Sequence, residues 1–86
     1  MFGNDAKVLL ILLADGRTNR SVFQRIYKMN YAGAIDSLRM FKDLGIVDSE
    51  ELGDWRDTQV WFLTDKGKIV AQKLADLIAI IEKEEN

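Results

Sequence analysis

The spacing of apolar residues changes character several times along this chain, and each change marks an element. Residues 8–14 are apolar without a break. A helix that is apolar on every side has to be buried on every side. We therefore expect a first helix over about 5–14, capped by Asn4 or Asp5 and ended by Asp15-Gly16. In so small a domain its cover must come from the C-terminal helix or from a second subunit. The next segment is one-sided. Val22, Phe23 and Ile26 supply one apolar face, Ser21-Val22-Phe23-Gln24 has capping-box spacing, and Thr18, Asn19 and Ser21 compete as N-cap. Residues 27–30 read as a turn, with Met29 plugging the angle between the helices on either side.

The clearest periodicity follows. Ala34, Ile35, Leu38, Phe41 and Leu44 recur at helical spacing. Asn30 stands where a side-chain oxygen can accept from a free N–H of the first turn. Gly45 stands where a left-handed residue closes a helix at no steric cost. The helix predicted over 31–44 thus has both ends marked. From Ile46 the pattern turns short and β-branched. A strand over 46–52, a loop over 53–57 and a second strand over 58–63 form a hairpin. Both faces of Val60-Trp61-Phe62-Leu63 are apolar, so one lies on the helices and the other needs its own cover. Thr64 caps a last helix over about 65–84. There Val70, Leu74, Leu77 and Ile81 keep the 4-3-4 spacing of a helix–helix seam, widened by Ile69, Ile78 and Ile80. That is more apolar surface than a two-stranded hairpin needs.

Composition narrows the class. Eighty-six residues make one domain, expected to span 1–86 as a core and hairpin over 1–63 and a helix over 64–86. Histidine, cysteine and proline are all absent. That removes the commonest general base, thiolate metal sites and any disulfide, and we expect no metal and no cofactor. The run 8–14 is too short to span a membrane and lacks secretory-signal features, which predicts a cytoplasmic protein with no membrane partner. No nucleophile–base pair or phosphate-cradling glycine loop occurs, and Glu50 and Glu51 point to opposite sides of a strand. An enzyme is not expected.

The net charge of −2 hides an asymmetry. Residues 17–42 contain six basic side chains (Arg17, Arg20, Arg25, Lys28, Arg39, Lys42) against Asp36 alone. Residues 46–86 contain ten acidic and five basic ones. A local basic patch binds phosphate whatever the total charge; the plainer alternative is a solvated helix face.

Two motifs carry a resemblance. Leu38-Arg39-Met40-Phe41-Lys42-Asp43-Leu44-Gly45-Ile46-Val47 resembles the end of a recognition helix followed by the first wing strand. Leu63-Thr64-Asp65-Lys66-Gly67 resembles the leucine–threonine–x–x–glycine joining the second wing strand to the next helix. Their separation is that of a hairpin. With the element order, they make the chain similar to the winged helix-turn-helix domains of small prokaryotic and archaeal transcription regulators. The long last helix looks like the dimerisation helix of multiple-antibiotic-resistance-type and phenolic-acid-type regulators and of short archaeal-virus regulators.

The resemblance implies an α+β, mainly α fold: a three-helix core, a β-hairpin wing and a long C-terminal dimerisation helix. A short strand at Arg17-Thr18 is expected before the second helix. The resemblance also implies a homodimeric transcription regulator that inserts helix 31–44 in the major groove of double-stranded DNA. By position the groove face is Tyr31, Ala32, Gly33, Asp36, Ser37 and Met40, next to Asn30. Arg20, Arg25, Lys28, Arg39 and Lys42 are candidate phosphate contacts, and Arg56 in the wing is a candidate minor-groove contact. Leu9, Val70, Leu74, Leu77, Ile78 and Ile81 are the candidate dimer interface. Against this stand Asp36 and the acidic wing, with Glu50, Glu51, Asp54 and Asp57. These motivate the alternative of a winged helix used as a protein–protein module. The excess apolar surface motivates a third reading, an apolar effector between the helices and the dimer seam.

Overall fold

A computed structural model describes residues 3–53 and 59–85. Helix α1 covers Asn4–Asp15, a short second helix Val22–Ile26, α2 Tyr31–Asp43, β1 Val47–Glu51, β2 Gln59–Leu63 and α3 Asp65–Glu85. The strands pair antiparallel, with Val47 opposite Leu63 and Ser49 opposite Trp61. Thr18 adds an isolated bridge to Trp61 on the far side of β2, the short extended segment expected before the second helix.

The apolar run of α1 is the centre of the core. Val8, Leu9, Ile11 and Leu12 are buried, with Phe23, Ala34, Leu38, Phe41, Val47, Trp61, Leu63 and Ala71 around them. The cover for α1 is thus the chain's own: α2, β2 and the first turns of α3. Of the two sources expected, the C-terminal helix supplies part of that cover, joined by α2 and β2. Leu9, assigned to a dimer interface, is 6% exposed inside the protomer's core.

The start of α1 also differs from expectation. Neither Asn4 nor Asp5 caps it; Gly3 holds the N-cap position with no side-chain bond. Both side chains turn instead toward α2, as described below.

The second helix winds as a π-helix. Tyr27 N–H reaches the carbonyl of Val22 at 3.3 Å, the i→i+5 pattern of that geometry. Asn19, of the three competing caps, accepts from Val22 N–H at 3.2 Å. The wider turn keeps Phe23 fully buried but carries Ile26 off that face, leaving it 67% exposed. Met29 packs partly buried against the core as expected.

The hairpin's inner face is Val47, Trp61 and Leu63, all buried. On the outer face the Arg17 guanidinium lies 4.9 Å from the Phe62 ring centre and pairs with Glu50. One arginine, seated on the ring and held by a carboxylate, covers the Phe62 part of that second apolar face.

Thr18 is 2% exposed. Its backbone pairs both ways with Trp61, at 2.9 and 2.7 Å, while its hydroxyl finds no hydrogen-bond partner among the described residues. Burying an unpaired hydroxyl costs about 1–3 kcal/mol, and a strand position favours β-branched valine. Thr18→Val should therefore raise stability by about 1 kcal/mol, read as a higher urea midpoint at unchanged slope; a lower midpoint would mean that the hydroxyl has a partner.

Candidate nucleic-acid interface

Helix α2 is the element through which a winged domain would meet DNA, and its setting is fixed at both ends. The Asn30 side chain accepts from Ala32 N–H at 3.0 Å, which is the predicted cap. At the other end Gly45 sits at φ 74°. Gly45 N–H reaches Lys42 O at 3.0 Å and Ile46 N–H reaches Phe41 O at 2.8 Å. This doubled closure satisfies two terminal carbonyls, and the cap's left-handed residue is the glycine expected there. Leu44, at the C-cap, is exposed instead of joining the apolar face.

The two motifs that carried the resemblance meet here and form one junction. Thr64 N–H donates to Ile46 O at 3.1 Å, and its hydroxyl donates to Gly45 O at 2.6 Å. The same hydroxyl accepts from Gly67 N–H at 3.0 Å, capping α3 as predicted. The Lys66 ammonium donates to Leu44 O at 2.9 Å, adding a cation to the carboxyl end of α2. The end of α2 and the start of α3 are therefore held as a unit.

Of the predicted groove face, part is exposed and part is turned into the fold. Ala32, Asp36 and Met40 are exposed, one turn apart along a single stripe. Ser37 is only 5% exposed; its hydroxyl donates to the Asp5 carboxylate. Gly33, one turn earlier, faces the same way, and a Cβ there would lie 2.8 Å from Nδ2 of Asn4. Positions 33 and 37 thus belong to the contact between α2 and α1, and neither faces outward. Tyr31 is turned inward as well: its hydroxyl accepts from Trp61 Nε1 at 3.3 Å, and its ring lies 6.3 Å from that of Phe23.

The basic residues divide into two sets. Arg25, Lys28 and Arg39 are exposed and make no ion pair among the described residues. Lys28 has φ 56°, a left-handed conformation rare for a side-chain-bearing residue. The others are tied down. Lys42 donates to Ser49 Oγ at 2.9 Å and lies 3.9 Å from Asp48, linking α2 to the wing. Arg20 stacks over the Tyr31 ring at 5.2 Å and donates to Gln24 at 3.3 Å. Beside the turn, Tyr27 donates to Asp15 at 2.7 Å, and that hydrogen bond raises its phenol above the ordinary value. Arg56, with Asp54, Trp55 and Asp57, lies outside the described residues.

The candidate interface on α3 splits in two. Val70 and Leu74 pack on the protomer's own core. Beyond them Ile78 and Ile81 are half-buried, while Leu77 and Ile80 are 49% and 57% exposed. No helix among the described residues is long and apolar enough to cross a membrane.

No family model matches the sequence, and no curated protein matches it. Solved structures do. ZitR of Lactococcus lactis superposes with TM-score 0.79 at 18% identity over 95% of this chain and 61% of its own. A transcriptional regulator homologue from Pyrococcus horikoshii gives TM-score 0.77 at 19% identity over 95% of this chain and 83% of its own. The transcriptional regulator PcaV of Streptomyces coelicolor gives 0.78 at 19% identity over 96% of this chain and 59% of its own. The chain spans about three-fifths of the length of ZitR and PcaV. These likenesses, with α2 and the wing joined by the Leu44–Gly67 junction, show that the chain has the winged helix-turn-helix fold of such transcription regulators.

Proposed function

We propose that the protein is a DNA-binding transcription regulator. It acts as a two-fold homodimer that sets α2 of each protomer in a major groove. The observation that carries this reading is the exposed cationic set around α2. Arg25 and Lys28 precede the helix, Arg39 stands on it, and no ion pair among the described residues occupies them. Cations left unpaired beside an exposed helix face are what phosphate contacts require. The likeness to regulators over nearly the whole chain supports it. The contact set is Arg25, Lys28 and Arg39 for phosphate, with Ala32, Asp36 and Met40 toward the bases. Asn30 and Arg20 border it, the first as the helix cap, the second stacked on Tyr31. ZitR is described as a zinc-responsive MarR family member; this chain, without histidine or cysteine, has none of the usual nitrogen or sulfur ligands for such a response.

Salt titration on random duplex DNA tests the reading. Affinity should fall steeply as salt rises, through counterion release. Lys28→Gly and Arg39→Ala should each weaken binding to all sequences alike and flatten the logarithmic salt slope by about 0.9. Glycine suits the left-handed backbone at 28, so that variant also removes strain. A loss confined to one sequence would reassign the residue from phosphate to base.

The protein–protein alternative is favoured by the acidic edge of the wing, where Asp48, Glu50 and Glu51 are exposed on β1. Absence of duplex binding even at low salt would select it.

A further inference from the structure

We infer that Asp36 is a base-reading residue and that it selects cytosine in the major groove. The inference rests on the regulator reading above. Three observations carry it. First, Asp36 is the sole acidic residue in the basic segment 17–42, where a carboxylate weakens attraction to phosphate. Second, no contact among the described residues engages its side chain. It is exposed, and no hydrogen bond or ion pair engages it among the described residues. Arg39, one turn away, does not pair with it. Third, Gly33, Ser37 and Tyr31 are turned into the fold. Of the predicted face only Ala32, Asp36 and Met40 then remain outward, and Asp36 is their only polar side chain.

The chemistry of that side chain fixes its target. An ionised carboxylate is acceptor-only. The major-groove edges offer two donors, the amino groups of cytosine and adenine. Adenine sets its N7 acceptor beside the amino group, which repels a carboxylate; cytosine does not. Guanine presents O6 and N7, both acceptors, so reversing the pair faces the carboxylate with like charge. Ala32, one turn earlier on the same stripe, offers a methyl for the methyl of thymine. A rise of about 6 Å per four helical residues sets these contacts about one to two base pairs apart, at 3.4 Å per step. The site read by each protomer should hold a cytosine with a thymine within two positions.

The test is selection from a random duplex pool by the wild-type protein, Asp36→Asn and Asp36→Ala, with affinities then measured on matched duplexes. Because Asp36 is exposed and has no partner among the described residues, both variants should keep the wild-type circular dichroism spectrum. Wild type should enrich cytosine at one position of each half-site, by about 10- to 100-fold over other bases. Asparagine carries a donor and an acceptor and suits adenine N6 and N7, so Asp36→Asn should move the preference at that position from cytosine to adenine. Asp36→Ala should lose it. Variants that bind every duplex more tightly with the wild-type consensus unchanged would overturn the inference and leave the regulator reading standing. Failure of wild type to bind any duplex at low salt would overturn both.

Discussion

Gly67→Ala should lower the melting temperature by about 15 °C or leave the chain unfolded. A Cβ at this position would lie 1.8 Å from the backbone oxygen of Ile46 and 2.9 Å from its carbon. No rotamer relieves that clash, since the obstacle is main chain. The same oxygen accepts from Thr64 N–H at 3.1 Å, so moving it away breaks the junction that holds α2, the wing and α3 together. Overpacking typically costs about 1–3 kcal/mol, and a backbone obstacle with a dependent hydrogen bond belongs at the upper end. At about 4–8 °C per kcal/mol for a domain of this size, about 3 kcal/mol gives the stated shift. A small domain has little stability beyond that to lose. Thermal denaturation followed by circular dichroism is the measurement. Gly53→Ala, with nothing among the described residues within 4 Å of its added Cβ, is the control and should melt within a few degrees of wild type. Equal melting of Gly67→Ala and wild type would mean that α3 is not seated on the Ile46 carbonyl.

The second large effect concerns assembly. Replacing Leu77 and Ile80 with glutamate should turn a two-fold dimer into a folded monomer. Both side chains are about half exposed in the protomer, so in a solitary chain they leave apolar surface in water. Fully burying each against a partner contributes about 1.5–3 kcal/mol. The protomer's core, centred on α1 and closed by Val70, Ala71 and Leu74 from the first half of α3, does not depend on them. Wild type should sediment as a dimer at tens of micromolar. The double variant should sediment as a monomer with an unchanged circular dichroism spectrum. A duplex with two half-sites gains avidity of about 10²–10⁴ from linked binding. Affinity for it should therefore fall at least 100-fold, while affinity for a half-site stays within a few-fold. A wild-type monomer at that concentration would remove the case for two-fold recognition.

Much of the architecture was legible because its signals are local. Asn30 as a cap and Gly45 as a left-handed terminator act within one turn of their own helix, so their positions mark the ends of α2 to within a residue. Thr64 and Gly67 mark the start of α3 in the same way. The β-forming side chains of Val60-Trp61-Phe62-Leu63 predicted the second wing strand, and the unbroken apolar run of α1 predicted its place at the centre of the core.

What the tertiary structure alone decided are questions of facing, since periodicity assigns residues to a side of a helix without naming the neighbour on that side. Ser37 and Gly33 share a stripe that DNA and α1 were equally able to cover; the contact with Asn4 and Asp5, some thirty residues earlier, gave it to α1. Tyr31 was drawn inward by Trp61, thirty residues later. Lys42 was taken by the wing and Arg17 by Phe62 and Glu50, leaving Arg25, Lys28 and Arg39 as exposed cations with no ion pair among the described residues. Leu9 passed from a supposed dimer seam to the core because α2, β2 and α3 together suffice to cover α1. The π-helical winding of the second helix, which carried Ile26 into solvent, also lay beyond the sequence pattern. The residues that share a face there depend on the pitch of the turn, which the spacing of apolar residues does not specify.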